Sequence, residues 1–117
     1  MNDNIIHLRL MGCETTETMK HFLDDDILLV DCIRQVLNDP AFDSLEEGLK
    51  RHDTKIAFEA AHTLKGVCAN TGLSPLLNEI VPIVEMLRKG CLEGVDEMNE
   101  HLRETRDSLK EQMRQIK

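Results

Sequence analysis

The apolar residues of this chain recur at intervals of three and four rather than two, the period of helices that bury one face. After Asp24, Asp25 and Asp26, the positions Leu29, Val30, Ile33, Val36 and Leu37 mark one stripe of a helix ending before Pro40. The aspartates supply an N-cap and charges suited to the positive end of that helix. A calcium loop is not indicated, because the glycine and the distal glutamate of that motif are missing. A short helix over Thr16 to Phe22 precedes it. The first dozen residues, with Ile5, Ile6, Leu8, Leu10 and Met11 ahead of Gly12, fit either a strand-like arm or a short helix.

Beyond Pro40 the pattern predicts a helix from Phe42 to Arg51 with Leu45 and Leu49 inward. A longer one follows from Thr54 to about Thr71, capped by Asp53 and stopped by Gly72. Ser74 and Pro75 form a cap and first-turn pair for the next helix, which runs to Arg88 and Lys89. Pro82 inside it should kink or split it near Asn78 to Pro82. The last helix, from about Leu92 to Ile116, carries Val95, Met98, Leu102, Leu109, Met113 and Ile116 close to a heptad seam, with polar residues around them. Helices joined by short loops, each with one apolar stripe, make an all-α antiparallel four-helix bundle with additional short N-terminal helices. The 117 residues suffice for one domain, with 1–14 as an N-terminal extension and the bundle from about 24 to 117.

Composition narrows the function. With no Trp or Tyr and only Phe22, Phe42 and Phe58, the core is aliphatic. The net charge of −8 argues against binding nucleic acid. No apolar run reaches membrane-spanning length and no signal peptide is evident, so a cytoplasmic protein away from the membrane is expected. Cys13, Cys32, Cys68 and Cys91 show no Cys-x-x-Cys spacing and read as reduced, mostly buried thiols. His7, His21, His52 and His101 show no mutual spacing for metal and read as surface residues. No metal site is expected in this chain.

The informative segment is Phe58 to Leu73. On a wheel with Leu64 at zero, Ala57, Ala60, Ala61, Val67, Cys68 and Thr71 fall within about 60° and form the buried stripe. His62 falls at about 160°, facing solvent. Phe58, Lys65, Gly66 and Ala69 share that outer arc, which is cleared of long side chains next to the histidine except for the lysine. A glycine in a helix interior costs about 1 kcal/mol relative to alanine, and nothing local needs a turn at Gly66. Its absent side chain lets another surface approach the imidazole. Lys65 supplies a compact cation suited to an anion held on the ring. Phe58 fits either partner docking or packing at the bundle edge, and Ala69 would extend an apolar docking rim. The arrangement suits a phosphoryl group accepted from one macromolecule and passed to another, with no closed catalytic pocket. There is no glycine-rich nucleotide loop, no carboxylate cluster for Mg²⁺ and no triad around His62.

Ala61, His62, Thr63, Leu64, Lys65 and Gly66, followed by Asn70, Gly72, Leu73 and Leu76, resemble the signature of histidine-containing phosphotransfer (HPt) domains. The match extends more loosely from about Asp24 to the C-terminus, and Asp53, Glu85 and Arg88 fit it. Pro82 departs from the family's uninterrupted helix. The resemblance implies a phosphorelay intermediate of two-component signal transduction, in which a receiver-domain aspartate phosphorylates His62 and a second receiver removes the group. Lys65 would be the phosphate-side cation, Gly66 the clearance, and Phe58 and Ala69 docking positions. Partners would be response-regulator receivers and a sensor kinase. Any Mg²⁺ would sit on the receiver only, and the chain would be a phosphocarrier, not an enzyme with kinase activity.

Two other classes compete with this reading. A non-catalytic helical adaptor that docks receivers would not need the intact His62 and Lys65. A metal-dependent bundle enzyme would need Glu-x-x-His motifs paired on facing helices, and no such pairing occurs. One histidine site on a small acidic domain points to a monomer. The acidity is uneven: residues 1–52 carry 11 acidic and 5 basic groups, 53–91 carry 4 of each, and 92–117 carry 7 and 5. The segment around His62 is thus neutral, which eases the approach of an acidic receiver site.

Overall fold

Seven helices occupy residues 2–116, the part of the computed structural model described here: α1 (Asp3–Leu10), α2 (Thr16–His21), α3 (Asp26–Leu37), α4 (Ala41–Lys50), α5 (Thr54–Asn70), α6 (Ser74–Arg88) and α7 (Val95–Met113). No strand occurs among the described residues. The fold is all-α, as the periodicity predicts. Helix α4 packs on α5, α5 on α6, α6 on α7, and α7 back on α4, closing a ring of four. Helix α3 lies against α7 and α5, with α1 against α3.

Local chemistry sets these boundaries. Asp25 caps α3 by accepting from the Leu28 N–H at 3.0 Å, and Asp53 caps α5 by accepting from the Ile56 N–H at 3.1 Å. All five predicted stripe positions of α3 are buried. The α4–α5 contact depends on Gly48, where an added Cβ would crowd the backbone of Ala57. One aliphatic cluster runs from Ile5 to Ile116, with Phe42 as its buried aromatic ring.

Several details differ from the sequence expectation. The first residues form a helix, and Ile5 and Leu8 are buried while Ile6 and Leu10 are exposed. Helix α6 is continuous through Pro82. Proline removes one intrahelical hydrogen bond, but Pro82 and Asn78 are both exposed, so water can solvate the freed carbonyl. The cap of α6 is Leu73 and not Ser74; Ser74 is already helical and its N–H donates to the Gly72 carbonyl at 2.8 Å. Helix α7 starts three residues later than expected, at Val95 behind left-handed Gly94. Asn99, expected among the polar surroundings of the seam, is buried. Of the four thiols, Cys13 and Cys68 are buried and Cys32 and Cys91 are half-buried.

Candidate functional site

Helix α5 presents two faces of opposite character. Inward are Ala57, Ala60, Ala61, Leu64 and Cys68, all buried as the wheel predicts, whereas Val67 of the same predicted stripe is only half-buried, at the edge of the packed face. Alanines on this face let α4 and α6 approach closely, and burial raises the Cys68 thiol to about 12. Outward are His62, Gly66 and Ala69, all exposed, with Lys65 half-buried beside them. The far end of the helix is anchored at Gly72, whose φ of +70° favours glycine. An added Cβ there would also collide with the Glu14 carbonyl and the Thr18 hydroxyl. The Glu14 N–H donates to the Gly72 carbonyl at 2.8 Å, tying the N-terminal segment to the end of α5.

Gly66 is open. A Cβ built on it would meet no atom within 4 Å, so no internal packing calls for glycine. The helix therefore bears glycine's cost of about 1 kcal/mol without a return inside the molecule. His62 contacts the ring of Phe58, one turn earlier, with centroids 5.7 Å apart and planes tilted by 32°. Lys65 makes no ion pair among the described residues.

Of the two readings left open for Phe58, the structure shows packing at the bundle edge. It is partly buried and packs against the core, yet its ring lies between the histidine and a cation of the next helix. The Arg88 guanidinium is 5.2 Å from the Phe58 centroid, a cation–π distance. Arg88 is half-exposed and pairs with Glu85 at 3.5 Å on its own helix. Since Phe58 near the start of α5 meets Arg88 at the end of α6, these two helices run in opposite directions. A recess of about 350 Å³ beside them is lined by Thr54, Lys55, Phe58, Leu87, Arg88 and Gly90. Arg88 was not legible as a site residue from the wheel of α5, because its approach to Phe58 crosses between helices.

Residues 28–116 match the family model of the Hpt domain. The chain belongs to the Hpt domain family. The match begins inside α3, so α1 and α2 lie outside it, and α5 with its exposed histidine lies well within it. Neither the comparison with curated proteins nor that with solved structures finds a significant match. Hpt domains serve phosphotransfer in two-component signalling, as phosphocarriers rather than kinases, and interact with receiver domains and kinases. None of the helices described for this Hpt domain is long and apolar enough to cross a membrane.

Proposed function

We propose that this Hpt domain is a phosphorelay intermediate with His62 as the phosphoryl acceptor, Lys65 as the cation beside the phosphoryl group and Gly66 as the clearance that admits the donor. The observation that carries this is the outward histidine followed one turn later by a glycine whose added Cβ would touch nothing. In the forward step the lone pair of neutral Nε2 attacks the phosphorus of a receiver aspartyl phosphate. The N–P bond forms as the O–P bond breaks, and the receiver carboxylate leaves with the electron pair. In the second step another receiver's carboxylate oxygen attacks the phosphohistidine, and the imidazole leaves. Receiver-bound Mg²⁺ would neutralise charge on the transferring group, while this chain contributes position and one ammonium.

Phe58 limits the freedom of the imidazole ring from one side, and Ala69 keeps the opposite end of the approach low. Both are placed in the receiver docking surface. The chain works as a single, monomeric cytoplasmic domain, with 1–14 as an extension of the bundle. The test is to incubate it with a receiver domain phosphorylated by acetyl phosphate and follow acid-labile phosphate. Transfer to the native chain but not to His62→Gln is expected; no transfer, or equal transfer to the variant, would refute the assignment.

A further inference from the structure

Helix α2 ends in a turn that glycine would make more easily. The Leu23 N–H donates to the Lys20 carbonyl at 3.2 Å and the Asp24 N–H to the Met19 carbonyl at 2.9 Å, a paired closure that sets the residue after the cap in the left-handed region. At the corresponding positions after α1, α5 and α6 the chain has Gly12, Gly72 and Gly90. After α2 it has Leu23 with φ of +52°, followed by Asp24 at +62°. A side chain bearing a Cβ is disfavoured there. The apolar contact that often accompanies such a turn would join Met19 to the residue at 24, which is an aspartate. Leu23 itself is 88% exposed, and Ile27, in the first turn of α3, is 68% exposed. Leu28 is half-exposed beside them, while Leu29 and Val30 are buried. The fold thus holds three aliphatic side chains in water at one corner, and at Leu23 it bears backbone strain as well.

The charges around the corner select what covers it. Asp25 is engaged as the cap of α3, and Asp26 accepts from Asn4 Nδ2 at 2.9 Å. Asp24, next to Leu23, and Asp31, one turn after Ile27, are exposed, and their carboxylates have no partner among the described residues. The cation nearest in sequence, Lys20, is paired with Glu17 at 3.2 Å. A second copy of the chain would set these carboxylates against themselves. Three side chains also fall short of the roughly 800 Å² per partner that a standard interface buries. An anionic lipid surface would be repelled in the same way. The complement is a short apolar stripe flanked by Lys or Arg, the pattern of a basic amphipathic helix. Leu23 and Ile27 precede the residues matched by the family model, so the corner lies mostly outside the part shared with the Hpt family.

We infer that the α2–α3 corner docks a basic amphipathic helix of another protein, with Leu23, Ile27 and Leu28 against its apolar stripe and Asp24 and Asp31 beside its Lys or Arg side chains. The strain at Leu23 serves this contact by holding the side chain outward. The inference does not depend on the role assigned to His62.

The test titrates a synthetic leucine–lysine amphipathic helix into the ¹⁵N-labelled full chain at physiological ionic strength, with the leucine–glutamate counterpart as control. Saturable shifts centred on His21 to Asp31 are expected with the first peptide and none with the second. Leu23→Gly should bind about tenfold more weakly, through loss of one anchoring side chain. Its Tm should not fall, because glycine relieves the turn. Asp24→Asn combined with Asp31→Asn should weaken binding and flatten its dependence on salt. Absence of saturation, unchanged affinity in Leu23→Gly, or shifts centred on the acidic residues of α7 would overturn the inference. Equal binding of the leucine–glutamate peptide would do so too. Dimerisation of the chain alone that Leu23→Gly abolishes would overturn it in favour of a second copy. Slower phosphate transfer from a receiver to Leu23→Gly than to the native chain would overturn it in favour of the receiver as occupant.

Discussion

Replacing Gly66 by alanine and by glutamine should separate stability from function. An added Cβ meets nothing within 4 Å, so neither side chain creates a clash inside the molecule. Alanine in a helix interior is favoured over glycine by about 1 kcal/mol, and glutamine recovers most of that. For a domain of this size the gain corresponds to a rise in Tm of roughly 4 °C. Transfer should move the other way. The methyl group of alanine stands one turn from His62, where the proposed mechanism has a receiver bring its phosphoaspartate into line with the imidazole. Misplacing the reacting atoms by about 1 Å costs on the order of a hundredfold in rate. Glutamine projects further and should abolish transfer. Differential scanning calorimetry reads the first effect, and rapid-quench transfer from a phosphorylated receiver reads the second. Phosphoramidate, a small donor, supplies the control, because it needs no protein surface beside the histidine and should label all three proteins alike. A fall in Tm would mean that glycine serves the fold. Unchanged receiver transfer would refute the clearance argument directly.

Other outcomes follow from the same geometry. Lys65→Ala should slow receiver transfer by roughly tenfold and shorten the phosphohistidine lifetime, with Tm nearly unchanged; Lys65→Arg should restore part of the rate. Phe58→Leu keeps core volume but removes the ring against His62 and Arg88, so transfer should fall more than stability, whereas Phe58→Ala should lower both. Burial raises Cys13 to about 11 and Cys68 to about 12, from 9.0. Below pH 9 both folded and unfolded chains hold these protons, but above it the unfolded chain loses them first, so denaturant midpoints should fall between pH 9 and 12. Thiol labelling at pH 8 should reach half-buried Cys32 and Cys91 before the buried pair. The Glu79 carboxylate, 2.9 Å from His101 Nδ1, raises the pKa of that histidine, so this α6–α7 tie holds at low pH and is lost as pH rises through the raised value. An NMR titration should show the shift, and Glu79→Gln should remove it.

How much of this was legible in the sequence depended on whether a helix has one distinct face. In α3 the apolar positions form a single stripe and all of them are buried. In α5 the wheel separates alanine and leucine from histidine and glycine, and burial follows that division. Helix α1 has apolar residues all round, so nothing in its own pattern selects Ile5 and Leu8 for the core over exposed Ile6 and Leu10. Exposed Leu23, Ile27 and Leu28 likewise defeat a rule that reads every apolar residue as buried. Contacts between helices were the other blind region. The stacking of Arg88 on Phe58 and the burial of Asn99 arise from neighbours on other helices, which no single wheel contains.

That division explains why the proposed His62, Lys65 and Gly66 group could be read and the Phe58–Arg88 edge could not. His62, Lys65 and Gly66 lie within one and a half turns of a single helix, so their mutual placement is fixed by helix geometry alone once the inner stripe is known. The Phe58–Arg88 edge depends on how α6 returns alongside α5, and hence on the turn at Gly72 and its clamp by Glu14. Because that clamp comes from the segment ahead of the family match, a change near Glu14 should act at a distance. Glu14→Ala removes the carboxylate that accepts from the Thr16, Glu17 and Thr18 N–H groups and holds the start of α2. The backbone bond from Glu14 to Gly72 should then loosen, and hydrogen exchange at Thr71 to Leu73 should quicken. Phosphoramidate labelling of His62 should stay intact, since its own helix is unaltered. If exchange at the α5–α6 turn stays unchanged, the N-terminal segment is an appendage and not a clamp.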